Sequence, residues 1–173
     1  MNEQLARLES PVFEFRTKAQ NLAQLVGRLA TARVCDLEIL KAGEWLTSPE
    51  ACLDRVRRRF EGQRIIVRSS ATDEDTVESS LAGAFDSKAN VDPADPEDVT
   101  DGVEVVLDSY RQKRVDSLEI QEVLLQPMVR NVVLSGVLFT RDLERNMPYF
   151  VINYEESDRT DSITAGTTAG VQR

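Results

Sequence analysis

The chain has 173 residues, 41% hydrophobic and 29% charged, with a formal net charge of -9. That length allows one domain with a real core, and the composition is that of an ordinary globular protein. The acidic balance argues against non-specific binding to nucleic acid or an anionic membrane; no apolar run approaches the ~20 residues that cross a bilayer; and with no His, the chain has no His-based general base, His-based zinc site or phosphohistidine of its own.

Residues 1–10 are polar and mixed in charge, without a secretory pattern, so a cytoplasmic location is expected. Thr17 precedes a helical pattern that puts Leu22, Leu25, Val26 and Leu29 on one face. Thr17 and Gln20 fit a capping box. Lys18 takes the first helical position, where a cation meets the positive end of the helix dipole at a cost of up to ~1 kcal/mol. A bound anion there would reverse the sign; a solvated lysine that tolerates the penalty is the other reading.

A strand is expected over 34–40. Cys35 and Cys52 have no metal-ligand spacing and read as small buried hydrophobes. Ser48-Pro49-Glu50 starts a helix that turns Cys52, Leu53, Val56 and Phe60 to the core. Arg55, Arg57, Arg58 and Arg59 lie opposite as a solvated face rather than a nucleic-acid surface. Gly62 breaks that helix.

Ile65, Ile66 and Val67 then read as a strand covered on both faces. Arg68 follows at once. A buried charge without a partner costs several kcal/mol, and a guanidinium grips phosphate or carboxylate with two prongs. An anionic ligand and an acid of the chain both remain open as its partner. A polar loop, expected to be flexible, leads to Ser79-Ser80-Leu81-Ala82-Gly83-Ala84-Phe85-Asp86.

The acidic turn over 92–98 reads as helix initiation, with Asp95 as cap, Pro96 first, and Glu97 and Asp98 favouring the dipole. Metal binding is the sharper reading of those acids, but initiation accounts for them. The helix turns Val99, Val103, Val106, Leu107 and Tyr110 inward. Segments 122–129 and 132–140 read as a hairpin turning at Arg130-Asn131, with Pro127 tolerated on an edge strand. Another strand is expected over 149–154, and a loose Thr-, Gly- and Ala-rich tail over 160–173.

Two long motifs carry a resemblance. Val67-Arg68-Ser69-Ser70-Ala71-Thr72-Asp73-Glu74-Asp75, followed by Ser80-Leu81-Ala82-Gly83, resembles a signature of the ATP-binding domain of phosphoenolpyruvate synthase and pyruvate phosphate dikinase. Leu125-Gln126-Pro127-Met128-Val129 and Leu134-Ser135-Gly136-Val137-Leu138-Phe139-Thr140-Arg141-Asp142 are similar to its second signature. Thr17-Lys18-Ala19-Gln20-Asn21-Leu22, Val151-Ile152-Asn153-Tyr154-Glu155 and Asp161-Ser162-Ile163-Thr164-Ala165-Gly166 add shorter likenesses in the same order, so the resemblance covers 13–166. It implies an α+β, ATP-grasp-like nucleotide-binding domain with antiparallel or mixed sheets and flanking helices. Residues 1–173 would be a single domain, the N-terminal part of the family's domain and incomplete at its C-terminal end. No Walker loop and no Gly-x-Gly-x-x-Gly after a strand offers another way to hold a nucleotide.

The resemblance also implies a site. Lys18 and Arg68 would clamp the ATP phosphates, with Ser80, Ala82 and Gly83 in a flap whose small residues let peptide N–H groups close on them. Ser69 and Ser70 are candidate phosphate donors. Gln126, Met128 and Val129 would lie beside the adenine, where Pro127 has no N–H to give. Arg16 and Thr17 depart from the family's common form, which has glycines before the lysine. Magnesium is implied as well, with its ligands outside this chain, because Glu155, Glu156 and Asp158 do not sit in the family's metal motif. Phosphate would move from ATP to a histidine on another domain and then to a small acceptor such as pyruvate. The partners would be a phosphohistidine domain and an acceptor-binding domain of the parent protein. The alternative is a non-catalytic nucleotide-binding or interaction module that keeps the clamp without the metal-binding half.

Overall fold

In the computed structural model, which describes residues 13–72, 85–142, 145 and 147–156, the elements follow one another as α1 (Lys18–Leu25), β1 (Glu38–Lys41), α2 (Ala42–Thr47), α3 (Pro49–Arg59), β2 (Ile65–Ser70), β3 (Ser87–Val91), α4 (Pro96–Lys113), β4 (Glu122–Pro127), β5 (Ser135–Phe139) and β6 (Val151–Glu155). Two compact units divide the described residues, one ending at Pro127 and the other beginning at Met128.

The first unit is built on a four-stranded sheet in the order β1-β4-β2-β3, antiparallel at every pairing. Side chains alternate across a strand. Val67 on β2 and Val123 and Leu125 on β4 therefore join one core with Val99, Val103, Val106 and Leu107 of α4. Gly102 lets α4 approach, since a Cβ there would lie 3.1 Å from a methyl of Val67. Cys52 and Val56 of α3, with Phe60 just after it, complete this core. Burial pushes the Cys52 thiol above its ordinary value, as fits an inert packing residue. The Asp95 carboxylate accepts from the amides of Glu97 and Asp98 at 3.0 and 3.4 Å, and Arg114 at φ 55° closes the helix. Lys88 donates to Asp98 and Asp101, both at 2.6 Å, so the acidic turn is matched by a cation.

Five expectations need correction. The hairpin over 122–140 does not form: β4 lies between β1 and β2, while β5 pairs with β6. Residues 122–126 are all buried, and a run buried on both faces needs neighbours on both edges. Pro127 accordingly ends an interior strand rather than lying on an edge. The strand expected over 34–40 is confined to Glu38–Lys41. Helix α1 stops at Leu25, and Gly27 follows at φ 72°. It buries only Ala19, leaving Val26 and Leu29 exposed rather than on a core face. Finally, Arg55 is not part of a solvated face: it is half-buried, with Nε 2.6 Å from Glu38 and Nη1 2.5 Å from Glu44.

The second unit contains β5 and β6, antiparallel in register from Ser135↔Glu155 to Phe139↔Val151. Gly136 faces Tyr154 across the pair, and a Cβ on it would lie 2.7 Å from the carbonyl oxygen of Asn153. Glycine is required there by close approach of the neighbouring backbone.

Candidate nucleotide-binding site

The site is set by which face of β2 each residue occupies. Ile66, Arg68 and Ser70 share one face, and their partners on β4 are Gln126, Leu124 and Glu122. Helix α1 lies on this face at the Ser70 end. The amide of Ala19 donates to Ser70 Oγ at 2.9 Å, and Glu122 accepts from Thr17 Oγ1 and Gln20 Nε2, both at 2.6 Å. Lys18, half-buried, is the residue directly before Ala19. Arg68, half-buried, is two residues before Ser70 on the same face. The geometry thus brings the Lys18 and Arg68 positions to one face of one sheet. Among the described residues no acid pairs with Arg68, whereas Arg55, Arg59, Arg64 and Arg111 all have carboxylate partners.

The capping box forms in part. Thr17 Oγ1 accepts from the Gln20 amide at 3.3 Å, but the Gln20 side chain reaches Glu122 instead of turning back to its own helix. Two early amides of α1 are therefore occupied, Gln20 by Thr17 and Ala19 by Ser70. The positive end of the helix faces the Glu122 carboxylate, which is 3% exposed. The anion at this helix start is a side chain of the protein.

Glu122 has no counterpart among the residues singled out from the sequence, and neither do Tyr110 and Gln121 in their polar roles. The Tyr110 hydroxyl accepts from the Ser70 amide at 2.7 Å and donates to the Glu122 carbonyl at 2.6 Å. It spans the end of the β2–β4 ladder. Gln121, fully buried, accepts from the Thr72 amide at 2.9 Å and donates to the Asp116 carbonyl at 2.8 Å. Phe85 meets the Tyr110 ring edge-to-face at 5.2 Å. Residues 72 and 85, which bracket the segment carrying Ser80, Ala82 and Gly83, are thus both tied to the stretch between Tyr110 and Gln121. A polar residue at the mouth of an apolar run, as in Gln121-Glu122-Val123-Leu124-Leu125, was the one available signal.

Other singled-out residues fall elsewhere. Ser69 is buried and points to the opposite face of the sheet from Arg68. The Ser70 hydroxyl accepts from Ala19, which leaves its proton to give. Gln126 shares the face of Arg68 at the far end of β4. Met128 and Val129 begin the second unit, and Val129 is exposed. Ser80, Ala82 and Gly83 lie outside the described residues, as does the tail over 160–173. Among the described residues no three His, Cys, Asp or Glu side chains come together to hold a metal, so they offer magnesium no ligand cluster. No helix among them is long and apolar enough to cross a membrane.

Helices packed on open antiparallel sheets define an α+β domain consistent with the ATP-grasp-like class. A family model described as pyruvate phosphate dikinase, AMP/ATP-binding domain, matches residues 48–165, more than half of the chain, and the chain belongs to that family. Arg68, Ser69, Ser70, Ser80, Ala82, Gly83, Gln126, Met128 and Val129 lie within the matched stretch, and Lys18 lies before it. ATP is the ligand that this membership supports.

Proposed function

We propose that this chain is the ATP-binding portion of a phosphotransferase, with Lys18 and Arg68 closing on the polyphosphate of one ATP. The observation that carries the reading is the 2.9 Å bond from the Ala19 amide to Ser70 Oγ, which ties the neighbour of Lys18 to the strand of Arg68. Family membership supports a nucleotide. The half-buried Arg68, without a carboxylate partner among the described residues, supports an anion as its ligand.

Phosphoryl transfer asks mainly for positioning and for neutralisation of charge, and two convergent cations supply both. In this reading a P–O bond of the ATP polyphosphate breaks, the remaining nucleotide leaves with the bonding electrons, and the γ- or β-phosphoryl group passes to a histidine nitrogen. Because the chain contains no His, that nitrogen belongs to another domain, which passes the phosphate to a small acceptor such as pyruvate. Ser80, Ala82 and Gly83 serve as the flap, Ser70 as a further hydroxyl donor, and Gln126, Met128 and Val129 as the adenine side. Ser69, facing away, has the weakest claim to a phosphate. Magnesium, held by ligands beyond the described residues, would neutralise the polyphosphate. The expected setting is the cytoplasm.

Calorimetry with ATP tests the reading. Arg68→Ala is expected to raise the dissociation constant more than ~10-fold, a loss of about 1.4 kcal/mol or more, while adenosine binding stays unchanged. An ATP affinity equal to that of the unsubstituted chain rejects the clamp.

A further inference from the structure

We propose that Glu122 is the positioning residue for Lys18: its buried carboxylate holds the first turn of α1 so that the lysine stands on the face of Arg68. The inference rests on the clamp reading above and adds the group that sets its geometry.

Helix α1 has little apolar hold on the sheet. Of its eight residues only Ala19 is buried. Its place is defined by polar bonds instead: Thr17 and Gln20 to the Glu122 carboxylate, and the Ala19 amide to Ser70. These bonds close a circuit. Glu122 bonds Thr17, Ala19 bonds Ser70, the Ser70 amide bonds Tyr110, and Tyr110 bonds the Glu122 carbonyl. Lys18 sits inside it, between the cap residue Thr17 and Ala19, both of which the circuit grips.

A carboxylate 3% exposed is costly to bury, and well-packed apolar residues often serve stability equally well or better. What a carboxylate offers here is direction. Each of its oxygens accepts one donor at 2.6 Å, from the cap residue Thr17 and from Gln20 of α1, and its charge meets the positive end of α1. Apolar packing on one alanine would not fix the rotation of the helix about its axis, and that rotation decides where the Lys18 side chain points. The Arg68 arm of the clamp is carried on β2 and does not depend on these bonds.

A double-mutant cycle on ATP affinity tests the proposal, with adenosine affinity and thermal unfolding measured beside it on the full chain. Glu122→Ala is expected to weaken ATP binding about as much as Lys18→Ala, roughly 10-fold, and the double variant no further than either single one. Glu122→Gln, which keeps an acceptor for Gln20, is expected to stay within about 3-fold of the parent. Gln20→Ala removes one of the two carboxylate bonds from a partly exposed position and is expected to weaken ATP, but not adenosine, even if Glu122→Ala does not fold. Lys18→Ala without effect removes the clamp reading, and this inference with it. If Lys18→Ala weakens ATP while Glu122→Ala and Gln20→Ala leave it unchanged, or if the effects of Lys18→Ala and Glu122→Ala add in full, Glu122 does not act through Lys18 and this inference alone is overturned.

Discussion

The backbone amide of Ala19 donates to the hydroxyl of Ser70 at 2.9 Å across 51 residues of chain. One of the orphan N–H groups at the start of α1 is thereby satisfied by a strand rather than by its own helix. Ser70→Ala leaves that amide buried without an acceptor, because Ala19 is fully buried. The expected loss of stability is about 1–3 kcal/mol, read from urea unfolding, with faster hydrogen exchange at Ala19. Unchanged exchange there would show that another acceptor takes the bond.

Glu44 and Arg55 set an acid limit to stability. The hydrogen bond from Arg55 holds the Glu44 carboxyl below its ordinary value of 4.5. The folded state therefore binds this proton less readily than the unfolded chain. Its contribution is complete above the unfolded value and is lost as pH falls through the lower folded one. Glu44→Gln is expected to flatten the decline of the urea midpoint below about pH 4.5 while lowering the midpoint at neutral pH. An identical acid decline in both proteins would contradict the assignment. No large energy is expected, since both side chains remain partly in water.

Gly136 is the steric pin of the second unit. A methyl group there would sit 2.7 Å from the Asn153 carbonyl oxygen and 3.2 Å from Tyr154 Cβ. Gly136→Ala must push β5 and β6 apart, at an expected cost of about 1–3 kcal/mol. Amide exchange should quicken at 135–139 and 151–155, with little change at 65–70. Protection equal to the parent's would mean that the strands adjust without losing their ladder.

Elements defined by local rules were legible in the sequence. Pro49 and Pro96 mark the starts of α3 and α4, Asp95 caps as its type and place dictate, and the apolar stripe from Val99 to Tyr110 is the buried face. The β-branched run at Ile65 is the covered strand β2. Pairing was less legible. Sequence proximity favoured a hairpin turning at Arg130-Asn131, whereas burial on both faces placed β4 between β1 and β2. At the site, residue types and the family resemblance singled out Lys18 and Arg68. Glu122 escaped because its meaning lies in contacts 102 and 105 residues away, with Gln20 and Thr17. Tyr110 read as a core aromatic, which it is; only the fold shows its hydroxyl bridging two strand ends.

The central claim is that Lys18 and Arg68 grip one polyphosphate. A crystal structure of the chain with a non-hydrolysable ATP analogue and magnesium tests it most directly. The account predicts phosphate oxygens within hydrogen-bonding distance, about 2.7–3.2 Å, of both the Lys18 ammonium and the Arg68 guanidinium. A triphosphate bound away from either side chain, or the two cations turned to separate ligands, would contradict it.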